Sequence, residues 1–220
     1  MQKIIRRNTL VGTFSFIIML GVSSCGGGGG SSSTPTPTPM PTYSPTPTPR
    51  YSPTPTPGSF TIPPIDESTK QEYLDAVNAA RMQVQDCGSE GVFDAVPALV
   101  WSDQLYSAAY EHSYDLANSN TFSHTGSGTV YDITAQELGL VGGSSMSQRI
   151  ENYNYQWSTL GENIAAGYDN INTTVSLWMA SDAHCANIMH PNFTEMGIGY
   201  IEKGGTDYYY YWTQNFGRPR

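Results

Sequence analysis

Basic residues are scarce in this 220-residue chain. Ten Lys and Arg stand against 19 Asp and Glu, giving a formal net charge of −9. Nucleic-acid binding needs phosphates neutralised by Lys and Arg, so this balance excludes a nucleic-acid partner. Electrostatic docking on anionic lipid is disfavoured for the same reason. Cysteine is scarce too. Three residues, Cys25, Cys87 and Cys185, cannot build a disulfide-dense scaffold. Long apolar runs are lacking as well, and the stretch Leu10 to Val22 is too short and too interrupted for a membrane span. Two catalytic signatures are missing. There is no Gly-x-Ser-x-Gly turn to expose a Ser nucleophile and no His-Glu-x-x-His helix to hold a zinc ion.

The N-terminal segment reads as an export signal over residues 1–24. Lys3, Arg6 and Arg7 precede the short apolar run. The run ends in Val22-Ser23-Ser24-Cys25, which looks like a bacterial lipobox, with Cys25 as the lipidated residue of the mature chain. An ordinary secretory signal with an incidental Cys, or an uncleaved anchor, are the alternatives. Each buried methylene of an acyl chain contributes about 0.8 kcal/mol, so a lipidated Cys25 would hold the chain on a membrane. Loss of residues 1–24 removes three basic and no acidic residues and moves the charge from −9 to −12.

Residues 25–61 hold a Gly/Ser run and then repeated Thr-Pro pairs. The first part is flexible and the second is biased to polyproline II, so the segment reads as a disordered stalk. At about 3.1 Å per residue its reach is on the order of 80 Å. Residues 62–220 make one domain with enough chain to bury a core. With Cys25 lipidated, Cys87 and Cys185 remain, and in an exported chain two such residues usually pair. Two separate buried thiols are the alternative.

Leu74, Val77, Arg81 and Val84 recur at helical steps, so residues 67–85 read as an amphipathic helix stopped near Gly88. Ser102 caps a second helix with Leu105, Ala108, Ala109, His112 and Leu116 on one stripe. Phe122 to Gly128 reads as a loop, and Asp132 to Leu138 as a short helix followed by a Gly-Gly-Ser-Ser loop. Glu162 to Ala166 reads as a strand. Asn172 or Thr173 caps a helix from Thr174 to Ala180, and Pro191 closes the next turn. Strands at Met196–Glu202 and Tyr208–Phe216 flank a hairpin turn at Lys203–Asp207. Helices before and between a few antiparallel strands make a layered α+β domain.

Several wordings recur through this domain in a fixed order. They are Asn78 and Arg81, Leu99-Val100-Trp101, Ala109 with His112, Phe122-Ser123-His124, and Gly161-Glu162-Asn163-Ile164. Trp178 with Ser181 and His184 follows, then Asn187-Ile188-Met189, Phe193, Gly197-Ile198-Gly199 and the run Tyr211 to Gly217. Together they resemble the CAP superfamily of cysteine-rich secretory, antigen 5 and pathogenesis-related proteins, in its shorter bacterial form, over about residues 70–217. The resemblance implies a three-layer α-β-α sandwich with a small antiparallel sheet. It also favours the Cys87–Cys185 bridge. Family members place two His and, in many, two acidic residues around a cleft. His124, Glu162 and His184 match three of those positions. The fourth, often Glu, is Ser181 here or is absent, so acid–base chemistry needing two carboxylates is in doubt.

Two imidazoles and a carboxylate suit Zn²⁺ or another divalent cation, with His124 and His184 as ligands and Glu162 as a further candidate. Without metal, one His could act as general base on Ser181 or on a water. Each residue also has a structural reading. His124 could bond loop backbone, Glu162 could accept backbone N–H groups, Ser181 could cap a turn, and His184 could be a satisfied core residue. His112 reads as a packed core histidine and His190 as part of a surface turn. Tyr208 to Tyr211 read as alternating between core and surface, with an aromatic sugar- or peptide-binding face as the alternative. Three functions follow. The favoured one is an exported, lipid-anchored binding module of the cell envelope, taking a small apolar ligand, a peptide or an envelope component. The second is an extracellular hydrolase, metal-dependent or His/Glu-assisted. The third is a structural envelope protein with a vestigial cleft.

Overall fold

The computed structural model describes residues 60–220. The export signal, Cys25 and the Gly/Ser/Thr-Pro stretch up to residue 59 lie outside the described residues. Helix α1 (Glu67–Arg81) starts at Asp66, whose carboxylate accepts from the Thr69 N–H at 2.9 Å. Strands β1 (Gln85–Asp86) and β2 (Val92–Phe93) pair as a small antiparallel ribbon. Strand β3 (Val100–Trp101) leads into α2 (Asp103–Ser119), capped by Ser102. Helices α3 (Ile133–Leu138) and α4 (Met146–Asn152) precede β4 (Trp157–Ala166). Helices α5 (Ile171–Met179) and α6 (Asp182–Ile188) and strands β5 (Glu195–Glu202) and β6 (Tyr210–Pro219) complete the domain.

The main sheet runs β3-β5-β6-β4. It is antiparallel across β5, β6 and β4, while β3 adds two residues parallel to β5. Residue alternation assigns the two faces. Met196, Ile198, Trp212 and Phe216 pack with Tyr73 and Val77 of α1, Val175 and Trp178 of α5, and Ile188 of α6 in the main core. The opposite face lies under α2. There Tyr211 and Ile164 pack with Leu116 and Ala117. A Cβ at Gly197 or Gly199 would collide with the α2 backbone at Tyr106 or Tyr110, so these two glycines let the helix lie against β5. The result is the expected α-β-α layering.

Cys87 and Cys185 are joined by a disulfide, with Cα atoms 5.5 Å apart and a sequence separation of 98. The bridge ties the turn after β1 to α6. Beside it, Asp182 accepts from the Ser89 N–H at 2.8 Å and from its hydroxyl at 2.7 Å.

Several element bounds depart from expectation. α1 ends at Arg81 rather than 85, and Val84 is exposed. Arg81 is buried for a polar reason. Its guanidinium donates to the Pro97 carbonyl from Nε at 2.9 Å and from Nη2 at 2.7 Å, and to the His190 carbonyl at 3.2 Å. The stripe that suggested a longer helix therefore included a carbonyl clamp. α5 begins at Ile171, because Asn170, not Asn172 or Thr173, accepts from the Thr173 N–H at 2.9 Å. β4 starts five residues before Glu162, and β6 is shifted to 210–219. α4 and α6 were not expected. α4 has a capping box between Ser145 and Gln148. Phe60, placed by sequence in the stalk, lies with its ring 4.8 Å from that of Tyr114.

Candidate functional site

Glu162 sits on β4, an edge strand of the sheet, and faces α2. Its side chain is 3% exposed. One carboxylate oxygen, Oε1, accepts from His124 Nδ1 at 2.9 Å. The other, Oε2, accepts from Arg149 Nη2 at 2.8 Å. Asn215 is the cross-strand neighbour of Glu162. With its amide nitrogen turned to the carboxylate it donates to Oε2 at 3.2 Å while its oxygen accepts from the Ala109 N–H at 3.1 Å. Burial opposes the charge on Glu162. The Arg149 guanidinium and the two nearby imidazoles outweigh it and hold the carboxyl at about 2. Glu162 is therefore an anion at neutral pH and has no proton to give.

Arg149 organises the surrounding backbone. Nη2 also donates to the His124 carbonyl at 3.1 Å, and Nη1 donates to the Ser144 carbonyl at 2.8 Å. One buried guanidinium thus ties the carboxylate, the His124 loop and the start of α4 together.

The His124 loop is held from beneath by α2. His112 is fully buried, and its Nε2 lies 2.9 Å from the Ser123 carbonyl, so Nε2 carries the proton. Burial, and then Arg149, lower its pKa to about 4, so at neutral pH His112 is an uncharged donor. It stands 3.9 Å from Glu162 Oε1, and the neutralising charge beside Glu162 at that pH is Arg149. Asp115, one turn further along α2, accepts from the Ser127 N–H at 2.7 Å, and Glu111 accepts from the Thr134 N–H at 2.7 Å. Asp132 accepts from the Ser144 N–H at 2.8 Å and its hydroxyl at 2.7 Å. These buried carboxylates satisfy loop N–H groups and fix a segment with little regular structure.

His124 is the exposed member of the group, with 55% of its side chain in contact with solvent. Because Nδ1 donates to Glu162, Nε2 is the free nitrogen and faces the cleft. The cleft has a volume of about 330 Å³ and is lined by His124, Thr125, Ser145, Met146 and Glu162. A larger groove of about 650 Å³ lies along α1 beside Asn172, but it holds no imidazole and no buried charge.

His184 comes from the other face of the sheet. It is half-buried on α6, and burial followed by the charge of His124 lowers its pKa. The α6 helix that carries it packs along the β4 edge. That edge is covered. Asn187 donates to the Glu162 carbonyl at 3.2 Å, and the Trp178 indole donates to the Ile164 carbonyl at 3.0 Å. Asn163 donates to the His184 carbonyl at 3.3 Å. Ser181 occupies the N-cap position of α6, its side chain makes no capping bond, and it does not line the cleft.

Among the described residues, no group of three or more His, Cys, Asp and Glu is arranged to hold a metal ion. Both oxygens of Glu162 are engaged, which makes it an orienting partner of His124 rather than a free ligand. The donors that remain are two neutral-capable imidazoles. Two imidazoles are too few for a closed four-ligand site. Sequence reading singled out His124, Glu162 and His184 but missed Arg149, although the Ser-x-x-Gln box just before it marked the helix that carries it.

Comparison with known proteins agrees with this fold. The family described as CAP, cysteine-rich secretory protein family, matches residues 74–216. The uncharacterized protein YkwD of Bacillus subtilis (strain 168) is 31% identical over 116 residues, 52% of this chain and 37% of that protein. The uncharacterized membrane protein YlbC of the same strain is 25% identical over 152 residues, 69% of this chain and 35% of that protein. The chain thus spans little more than a third of either relative. An extracellular protein containing an SCP domain from Bacillus anthracis (strain Ames) shares the fold. Its crystal structure aligns at a TM-score of 0.50 and 24% identity over 71% of this chain and 45% of that one. With the family match covering most of the described residues, the chain belongs to the cysteine-rich secretory protein family, CAP.

Proposed function

We propose that this CAP domain is a binding module displayed outside the cytoplasm. The chain is held at a membrane by lipid on Cys25 and presents the His124 cleft to a small ligand, a peptide or an envelope component, with a divalent cation bound by His124 and His184. The observation that carries the reading is the His124–Glu162 bond of 2.9 Å, which fixes one imidazole with its second nitrogen free. A buried carboxylate behind a histidine is the usual support of a metal-ligating imidazole. A bound Zn²⁺ would supply a Lewis-acidic centre in the cleft. The chain's own residues would orient His124 and keep Glu162 charged. The Cys87–Cys185 disulfide suits an oxidising compartment, as does the extracellular description of the B. anthracis relative.

A hydrolase is the second reading, and one observation favours it. The same bond leaves His124 Nε2 as a positioned base for a water molecule. Glu162 is held ionised and cannot serve as the acid, and Ser181 is not in the cleft lining. This reading therefore rests on His124 alone.

Calorimetric titration of Zn²⁺ into the wild-type chain and a His124→Ala/His184→Ala variant tests the proposal. One-to-one binding lost in the variant supports the two-histidine site. Binding that ignores the substitutions, or none, sinks the metal reading and its metal-dependent hydrolase and turns the search to the surface of the domain for a partner. Replacing Cys25 by Ser should move the chain from the membrane fraction to the soluble fraction. Continued retention would mean that the apolar N-terminal segment is itself the anchor.

A further inference from the structure

α2 carries a second stripe on a different side from His112 and Asp115. Tyr106, Tyr110 and Tyr114 recur at four-residue steps. Ring centroids are 5.9 Å apart for Tyr106 and Tyr110, and Trp101 extends the row at 5.7 Å from Tyr106. Along this row runs the chain segment from residue 60 to residue 65, which is neither helix nor strand. Phe60 lies 4.8 Å from the Tyr114 ring and 6.3 Å from the Tyr110 ring. The Tyr106 hydroxyl donates to the Pro63 carbonyl at 2.9 Å. Pro64 and Ile65 close a cavity of about 180 Å³ against Tyr73, Tyr106, Tyr110 and Tyr200.

Proline fixes its own φ and pushes the preceding residue to extended backbone, so Ile62-Pro63-Pro64 is stiff before it docks. An extended proline segment has no internal hydrogen bonds, and its carbonyls are free to accept. A row of aromatic rings with a phenol donor recognises both properties at once, and the stiffness of the segment limits the entropy lost on docking. We infer that the Tyr106–Tyr110–Tyr114 row is a proline-recognition groove and that residues 60–65, which follow the Thr-Pro repeats after Gly58 and Ser59, are its resident occupant. Gly197 and Gly199 place the row beside β5. The chain therefore enters the domain on the β5 side of the sheet, across β6 from the β4 edge that carries His124.

The test uses the full chain and a labelled synthetic peptide of residues 59–66. Phe60→Ala, Pro63→Ser and Pro64→Ser together release the resident segment. The released chain should bind the peptide saturably. The wild-type chain should bind at least about tenfold more weakly, because its own segment competes at high effective concentration. Adding Tyr106→Phe to the released chain should weaken binding several-fold. A released chain that keeps the wild-type circular dichroism and melting transition but does not bind overturns the inference. So does a wild-type chain that binds equally well. If the released chain fails to fold, Tyr106→Phe in an otherwise wild-type chain decides the matter. Chymotryptic cleavage after Phe60, measured against cleavage after Tyr51, should rise several-fold. An unchanged ratio overturns the inference.

Discussion

Arg149 reaches Glu162 with one nitrogen, and that same nitrogen donates to the His124 carbonyl. The charge that keeps the carboxylate ionised thus also holds the main chain of the residue the carboxylate orients. His124 is fixed at its ring by Glu162 and at its backbone by Arg149. Its exposed nitrogen owes its position to two groups that solvent hardly reaches.

Arg149→Met is expected to destabilise the domain by about 3–5 kcal/mol, since it leaves a buried carboxylate without its cation. Arg149→Met/Glu162→Gln should recover a large part of that loss, because the second change removes the stranded charge. Urea denaturation at pH 7 measures both. A single variant no less stable than wild type would mean that Glu162 is neutralised by something other than Arg149.

Acid should lower the stability of the domain in two stages. His112 has a folded pKa of about 4 against an ordinary value of 6.5, so between these values the unfolded chain takes up a proton that the folded chain does not. Its contribution is complete above pH 6.5 and is lost as pH falls toward 4, with a slope of up to about 1.4 kcal/mol per pH unit. Glu162, lowered from 4.5 to about 2, adds stability that is present above pH 4.5 and lost as pH falls toward 2. Glu111 and Asp115, both raised by burial, work in the opposite sense and soften the lower limb. His112→Gln keeps a donor for the Ser123 carbonyl and removes the titration. Its stability profile should be flatter than wild type between pH 6.5 and 4, and parallel profiles would rule His112 out.

What could be read from the sequence followed from local pattern. The cap at Ser102, the short helix near Asp132, the helical stripe of α2 and the hairpin between β5 and β6 each depend on residues a few positions apart. His124, Glu162 and His184 stood out through their motif wording. Arg149 did not, because its partners Glu162 and His124 lie 13 and 25 residues away and a lone Arg on a short helix carries no period. Arg81 misled for a related reason. Its place on the helical stripe is that of a buried residue, but it is buried to satisfy carbonyls, and no apolar pattern distinguishes the two. The roles of Trp178 and Asn187 as covers for the β4 edge need the strand order, which no local pattern states.

Replacing Cys87 and Cys185 by Ala should cost about 2–5 kcal/mol, the range expected for a bridge closing a long loop. Asp182 keeps its two bonds to Ser89 in the variant, so the turn and α6 remain attached and the fold should survive. A melting temperature equal to that of the oxidised wild type would show that the bridge adds nothing.

The closeness of α2 to the sheet is the last dependency, and it reaches the site. Gly199→Ala puts a methyl group into the backbone of α2 at Tyr110. Backbone cannot swing aside as a long side chain can, so the helix must lift from β5. Overpacking of this kind costs roughly 1–3 kcal/mol. The lift would also move His112 and Asp115, which hold the His124 loop from the same helix. Gly199→Ala should therefore lower stability and alter the His124 ring signals in an NMR spectrum, although Gly199 lies on β5, two strands from the β4 edge that carries the site. Gly139→Ala is the control. Nothing lies near its Cβ, and its φ of +61° makes the substitution strained, so it should lose stability through local backbone strain alone. If both variants lose stability and neither disturbs His124, the packing of α2 does not set the geometry of the cleft, and the loop is held by its own hydrogen bonds.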